Sequence, residues 1–568
     1  MSLRTRALAL TCFLAIGFTV VSLRLVQIQI LDGDRYHQEA IHNHFERVEV
    51  PPTRGMILDS HGTILAKTHV LYDVRLDGKD LKNPEQTLPL LSKTLEMPLS
   101  EIKALYRPEK RFELLKTGLT EETVSALKDL KLKSLIFERK AFRAYPNSGH
   151  ASHVIGFVDG QNAGVMGIER LMNKELRGVA GERWIERDVR RREIAAYRRK
   201  DVRAMDGMNV QLTLDLGIQH VVEESLNRVM EKTKANAAYS IVMRPKTGEI
   251  LAMANRPTFD PNLREGMDLA RLRNRCMTDV MEPGSIFKIV TLSGVLQEGL
   301  MSLNTQIFCE NGSFYYGGKW LHDDEENGVL SVEDILARSS NIGFCKMGLA
   351  LGEERLYTYA KQFGFGSSTG MMPGQGESAG ILNPLHRWTK VSISRVPMGH
   401  EVGVTPIQMI SAYSAIANGG RLMEPRLIHQ ITDNQGRIVK AFPPHVVRQV
   451  IQEKTANLVS EALTRVLSSE GTGKKANVPG FNVAGKTGTA QKVINGTYSK
   501  EKYLASFIGY LPQENPEFVV LVMVDEPKGH EYHGGQVAAP AFAEMAAQIA
   551  QSLNLVPKSA PATKVGAL

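Results

Sequence analysis

Residues 480–527, GFNVAGKTGTAQKVINGTYSKEKYLASFIGYLPQENPEFVVLVMVDEP, decide the fold. FNVAGKTGTAQ alternates like a strand. Asn495-Gly496 supplies a hairpin turn, LASFIGYLP reads as a second strand and EFVVLVMVDEP as a third. Gly488 lets another backbone approach the first strand closely. A peptide can add to such an edge, with Lys486 and Thr487 placed to bind its carboxylate.

The same residues carry a competing pattern. Gly480 to Thr487 satisfies G-x-x-x-x-G-K-[ST], the phosphate-binding loop of P-loop NTPases, and VVLVMVDE at 519–526 mimics the apolar strand whose acids hold magnesium. That loop must follow a strand and open a helix. Here the residues before Lys486 themselves read as strand, and TGTAQKVINGTY reads as a hairpin, so context argues against the NTPase.

Upstream, Pro283-Gly284-Ser285-Ile286-Phe287-Lys288 opens a predicted helix running IFKIVTLSGVLQ. Ser285 and Lys288, at i and i+3, share a face. The helix is apolar on most sides, which predicts burial. A buried lysine has its ammonium disfavoured and can take a proton from a serine hydroxyl as the free amine. Backbone N–H groups at a helix start can face a developing oxyanion. Ser339-Ser340-Asn341 lies between a short helix that Ser331 can cap and the helix IGFCKMGLAL. From such a loop Ser339 can relay a proton and Asn341 can grip a peptide carbonyl. Each motif alone is common by chance. In this order, 54 and then 147 residues apart, they form a constellation.

The chain is 568 residues long, with 43% hydrophobic and 23% charged residues. That balance excludes a disordered or fibrous chain. Four cysteines cannot build a disulfide scaffold or a multi-zinc framework, and the net charge of +8 is no nucleic-acid signature by itself. Cys12 falls in the apolar span. Cys276, Cys309 and Cys345 allow at most one bridge, and no pair is favoured. His530-x-x-His533 lacks a third metal ligand.

Residues 7–23, ALALTCFLAIGFTVVSL, carry no charge and are flanked by Arg4, Arg6 and Arg24. As a helix they span about 26 Å, at ~1.5 Å per residue, enough for a bilayer core if the arginines snorkel. A cleaved signal peptide would need a small-x-small site, and LRLVQIQILDGDRY offers none. The positive-inside rule leans toward an internal N-terminus. The expected layout is a cytoplasmic tail (1–6), a transmembrane anchor (7–23), a pedestal (24–206), one large catalytic unit (207–555) and a flexible tail (556–568). Residues 24–46 read as an amphipathic helical stretch, Asp59-Ser60-His61-Gly62 as a hairpin turn and residues 84–140 as helical. Arg183–Arg203, with nine Lys/Arg against four acids, reads as a solvated face. Near Gly207, MNVQLTLD reads as strand and LGIQHVVEESLNRVM as helix.

The constellation resembles that of the class B penicillin-binding proteins, and so do segments elsewhere: Arg54-Gly55 with Asp59, Gly62 and Leu65-Ala66, GVMGIE at 164–169, LTLDLGIQ at 212–219, GVTPIQM at 403–409 and GY-LP at 509–512. The resemblance implies a single transmembrane helix, an elongated α+β pedestal (dimerisation-like) domain and an α/β (α+β) transpeptidase fold with an antiparallel five-stranded sheet between helices. It implies a D,D-transpeptidase that cross-links peptidoglycan stem peptides ending in D-Ala-D-Ala and releases D-Ala. Ser285 would be the acylated nucleophile, Lys288 its general base and Ser339 a catalytic assistant. Asn341, Lys486, Thr487, Gly488 and Thr489 would bind substrate, and the Ser285 and Thr489 amides would form the oxyanion hole. β-Lactams would acylate the same serine, with no metal or other cofactor. The length and layout look more like the septal FtsI type than the elongation type. That type implies an FtsW-type glycan polymerase and other division proteins as partners, and a catalytic domain outside the inner membrane. Ile286, where a small hydroxyl residue is usual, and His533, where an aromatic is commoner, depart from the pattern. A membrane-bound β-lactamase or β-lactam sensor shares the chemistry, and an inactive division scaffold is a further rival.

Overall fold

The computed structural model describes residues 2–36, 45–186, 201–263, 266, 268–494 and 496–558. By internal contacts the chain divides into two units, residues 1–54 with 177–207, and residues 55–176 with 208–568.

The first unit holds the apolar helix Leu3–Val26, followed by a π-turn at Gln27–Leu31. An 18-residue stretch within Leu3–Leu31 has a mean hydropathy of 2.0 and none of the helix is buried, so its apolar side chains face outward all round. The unit also holds a three-stranded antiparallel sheet, ordered Phe45–Val50, Gly181–Glu186, Asp201–Val202. Of the amphipathic helical stretch expected at 24–46, residues 24–36 are helix or turn, 37–44 lie outside the described residues and the strand has begun by Phe45. Most of the basic run at 183–203 also lies outside them.

The second unit is built on two larger sheets. The elements around the first of them are, in chain order, α1 (Leu216–Thr233), β1 (Ala237–Met243), β2 (Ile250–Arg256), α2 (Lys288–Gln297), α3 (Val332–Ala337), α4 (Asn341–Leu351), α5 (Pro406–Ala417), α6 (Glu453–Arg465), β3 (Ala484–Ile494), β4 (Thr497–Leu511), β5 (Phe518–Asp525) and α7 (Gly534–Ser552). The five strands form an antiparallel sheet ordered β2-β1-β5-β4-β3. β1 and β2 are buried at every position, so they read as continuous apolar runs covered on both faces. Neighbouring residues of β1 show the two coverings: Ser240 Oγ reaches Met545 Sδ of α7 at 3.7 Å, while Tyr239 points its hydroxyl toward Met281 on the other face. α1 and α7 pack together against the sheet, and α5 and α6 form a second packed pair.

The strands expected in 480–527 are present, longer than expected for β4. Asn495 lies outside the described residues, and the hairpin closes around it by pairing Ile494 with Thr497. β3 is an edge strand, paired with β4 alone. No helix follows Thr487, so residues 480–487 do not form the strand-loop-helix of a phosphate cradle. The expected strand and helix after Gly207 are present as Asn209–Leu212 and α1. Asp215 starts the helix by accepting from the Ile218 N–H at 3.0 Å.

The second sheet runs Ile438–Ala441, Ile428–Thr432, Asn209–Leu212, Ile57–Leu58, Ile64–Leu76, Glu113–Leu119, with Leu135–Ala144 also paired to Ile64–Leu76. Asp59 closes the expected turn, accepting from the His61 and Thr63 N–H groups at 2.9 and 2.7 Å. Residues 84–140 depart from the helical expectation. Helices Pro84–Leu95, Leu99–Leu105 and Glu121–Asp129 alternate with the strand Glu113–Leu119 and the start of Leu135–Ala144. ELLKTGL has too few apolar positions to separate a period of 2 from 3.6. Pairing with the long strand Ile64–Leu76 decides it.

Two segments singled out by resemblance meet in this unit. Arg143 donates to Glu169 Oε1 at 2.7 Å and to the Gly55 carbonyl at 2.7 Å, with both charged side chains wholly buried. Burial without pairing would cost several kcal/mol per ion, so the pair must stay intact.

Candidate active site

Ser285 lies in a 3-10 turn, Gly284–Phe287, and α2 begins only at Lys288. The turn sits against β3. A Cβ on Gly488 would meet Ser506 Oγ at 2.4 Å and Ile286 Cγ2 at 3.1 Å, so the absent side chain is what admits the turn. Ile286, one of the two departures from pattern, is fully buried against that glycine. From behind, Gly399 accepts from the Gly284 N–H at 3.1 Å.

Lys288 is 0% exposed. Its Nζ reaches the Ser339 carbonyl at 2.7 Å, Ser339 Oγ at 3.1 Å and Asn341 Oδ1 at 2.9 Å. Ser339 Oγ in turn lies 2.9 Å from Ser285 Oγ. The lysine-to-serine link therefore runs through Ser339, although i, i+3 spacing alone suggested direct contact. Burial pushes the Lys288 ammonium down to about 7, against the opposing pull of Asp323 and Asp324. As the free amine, Lys288 has two N–H groups for the Ser339 carbonyl and Asn341 Oδ1, and a lone pair left for the Ser339 hydroxyl.

Ser339 occupies the left-handed region at φ +60°, just past α3, where a non-glycine residue costs roughly 1–3 kcal/mol. The next residues hold it there. Ser340 caps α4 by accepting from the Gly343 N–H at 3.0 Å. Asp323 accepts from the Asn341 N–H at 2.6 Å, the Ile342 N–H at 3.0 Å and the Ser340 hydroxyl at 2.6 Å. A carboxylate on the first N–H groups of a helix complements its dipole. Sequence reading missed Asp323, because it belongs to no motif and its role exists only where the hairpin Ser313–His322 delivers it to α4.

Lys486 is also 0% exposed, with Nζ 3.2 Å from the Thr487 carbonyl and 3.4 Å from its Oγ1. Burial pushes its ammonium well below the usual range, and the nearby charge of Lys288 adds to this. Thr487 Oγ1 lies 2.7 Å from Thr472 Oγ1, and Thr489 Oγ1 accepts from the Gly534 N–H at 3.0 Å. In front of these groups is a cleft of about 710 Å³, lined by Asn341 and Thr489. Its rim is aromatic. Trp320 and His322 stack on one side, and Tyr503, Tyr532 and His533 stack on the other with ring centroids 4.3 Å apart. His533, the second departure from pattern, is thus part of a ring stack. The aromatic density around 498–503 and 532 was the available sequence signal for this rim.

All eight candidate residues lie on the elements around one site. A serine hydroxyl, a second hydroxyl in contact with it, a buried lysine and an open strand edge are groups from which acyl transfer from a peptide can be built. The comparisons with known proteins agree. Residues 238–547 match the penicillin binding protein transpeptidase domain, and residues 49–212 match the penicillin-binding protein dimerisation domain. Stage V sporulation protein D of Bacillus subtilis is 34% identical, over 98% of this chain and 87% of that protein. Peptidoglycan D,D-transpeptidase FtsI of Escherichia coli K12 is 29% identical, over 94% and 89%. Penicillin binding protein 3 of Mycobacterium tuberculosis, complexed with ampicillin, superposes with a TM-score of 0.70 at 29% identity, over 91% and 98%.

The chain belongs to the penicillin-binding protein transpeptidase family, in its class B, FtsI-like branch. It is a peptidoglycan D,D-transpeptidase, a serine-type acyltransferase. Among the described residues one stretch, Leu3–Leu31 near the N-terminus, is long and apolar enough to cross a membrane.

Proposed function

We propose that Ser285 is the nucleophile and that Lys288 removes its proton through Ser339. Ser285 attacks the penultimate D-Ala carbonyl of a donor stem, and D-Ala leaves with a proton returned along the same path. Asn341 holds the donor peptide, and the amides of Ser285 and Thr489 hold the oxyanion. Lys486 and Thr487 bind the terminal carboxylate, and Gly488 keeps the strand edge open to the incoming peptide. A neighbouring stem amine then resolves the acyl-enzyme. The observation that carries this reading is the contact chain Lys288–Ser339–Ser285, with its amine free near neutral pH. Acylation by a fluorescent penicillin followed by peptide mapping tests it. The adduct is expected on Ser285 and absent from Ser285→Ala, and an adduct elsewhere would overturn the assignment.

We further propose that the cross-linking serves septum formation, with an FtsW-type polymerase and other division proteins as partners. In this layout residues 1–6 are cytoplasmic and 7–23 span the inner membrane. Outside it stand the pedestal at 24–206, the transpeptidase domain at 207–555 and a short tail. The FtsI relative supports this reading. Depletion in the host is expected to give filaments, whereas rounded cells would assign the protein to elongation.

A further inference from the structure

A transpeptidase binds two peptides, and the catalytic cleft is not the only cavity at the edge of β3. A second one, of about 570 Å³, adjoins it, and the two share Glu401 and Gln491 in their walls. Gln491 lies on β3 five residues beyond Lys486, so both cavities open along the same strand edge.

Glu401 is tied to the catalytic turn. Its backbone N–H donates to Glu282 at 2.9 Å, and Gly399, two residues earlier, bonds the residue before Ser285. It holds φ +58°, a backbone region that favours glycine, and it forms part of both walls. Three other acids line the second cavity. Asp279 pairs with Arg273 and Arg275 at 2.6 and 3.1 Å, Asp525 with Lys492 at 2.8 Å, and Glu282 accepts from Tyr498 at 3.0 Å. Among the described residues the Glu401 carboxylate has no such partner. On the same cavity's wall, Arg273 and Arg275 meet Asp279 through one nitrogen each, and a guanidinium has five N–H donors.

We propose that the second cavity is the acceptor site, with Glu401 receiving the ammonium of the incoming stem and Arg273 and Arg275 facing a carboxylate of the same peptide. The ligand class is an amine-bearing, carboxylate-bearing peptide, and the assignment rests on the transpeptidase reading above. The ammonium gives one proton to water. The resulting amine nitrogen attacks the acyl carbonyl, the C–N bond forms and the C–Oγ bond to Ser285 breaks. The nitrogen's surplus proton passes to Lys288, and Ser285 Oγ recovers a proton through Ser339. Ester and amine become amide and serine.

The test uses the full-length protein in detergent, with a D-Ala-terminated thioester as donor. The acceptor is a peptide with one free side-chain amine and one free carboxylate, compared with the same peptide amidated at that carboxylate. Rates are normalised to the fraction acylated by fluorescent penicillin. Glu401→Gln is expected to lower the ratio of aminolysis to hydrolysis at least tenfold, mainly through acceptor KM. Arg275→Gln is expected to reduce the preference for the free-carboxylate acceptor at least fivefold. Ratios within twofold of wild type in both variants would overturn the acceptor site while leaving the transpeptidase reading standing. A wild-type protein that is not acylated at all would overturn both.

Discussion

Ser339 Oγ stands 2.9 Å from Ser285 Oγ, and Lys288 Nζ lies 3.1 Å from the same Ser339 oxygen. The middle motif therefore touches both Lys288 and Ser285 through Ser339 and lines the cleft through Asn341.

Ser339→Ala should slow acylation by penicillin about 10²–10⁴-fold, the usual worth of a positioned proton-transfer group. Stopped-flow acylation measures it. A rate within twofold of wild type would show that Lys288 reaches Ser285 without the relay.

The acylation rate should rise with pH along a limb centred near 7, because the amine of Lys288 is the active form and burial brings its ammonium down to about 7. Asp323 acts in the opposite sense, favouring the ammonium, so Asp323→Asn should move the midpoint to lower pH. A midpoint that stays put or rises would contradict this.

Glu169→Gln should destabilise the fold by roughly 3–5 kcal/mol, since it leaves the buried guanidinium of Arg143 without its counter-charge. Thermal unfolding measures it. A loss below about 1 kcal/mol would mean that Arg143 finds another partner or water.

His150 and Glu223, 2.8 Å apart, should stabilise the fold over a limited pH window. Hydrogen bonding to Glu223 raises the His150 pKa above its ordinary 6.5, so its contribution is complete below 6.5 and is lost as pH rises through the higher folded value. Glu223 is held below its ordinary 4.5 despite the opposing effect of burial, by His150, Arg256 and its hydrogen bonds. Its contribution is present above 4.5 and lost as pH falls through the folded value. The melting-temperature gap between wild type and His150→Gln should be widest between 4.5 and 6.5 and should shrink as pH rises through the raised folded value of His150. A gap independent of pH would indicate packing alone.

Local chemistry made much of this protein readable in advance. Alternation and the Asn495-Gly496 turn mark the β3–β4 hairpin. The absence of charge over 7–23 marks the apolar helix, and short motifs mark Ser285, Lys288, Ser339, Asn341 and Lys486. These features depend on neighbours within a turn or a strand, so they survive in one dimension. Residues 84–140 did not read correctly, because ELLKTGL becomes a strand only by pairing with Ile64–Leu76.

The sequence by itself determined which groups are candidates for the chemistry and the class of sheet that carries them. Only the tertiary structure decided that Ser339 stands between Lys288 and Ser285, that Asp323 secures the start of α4 and that Glu401 joins two cavities. These relationships link residues 18 to more than 100 positions apart, and their distances depend on how buried elements pack. No local pattern encodes that.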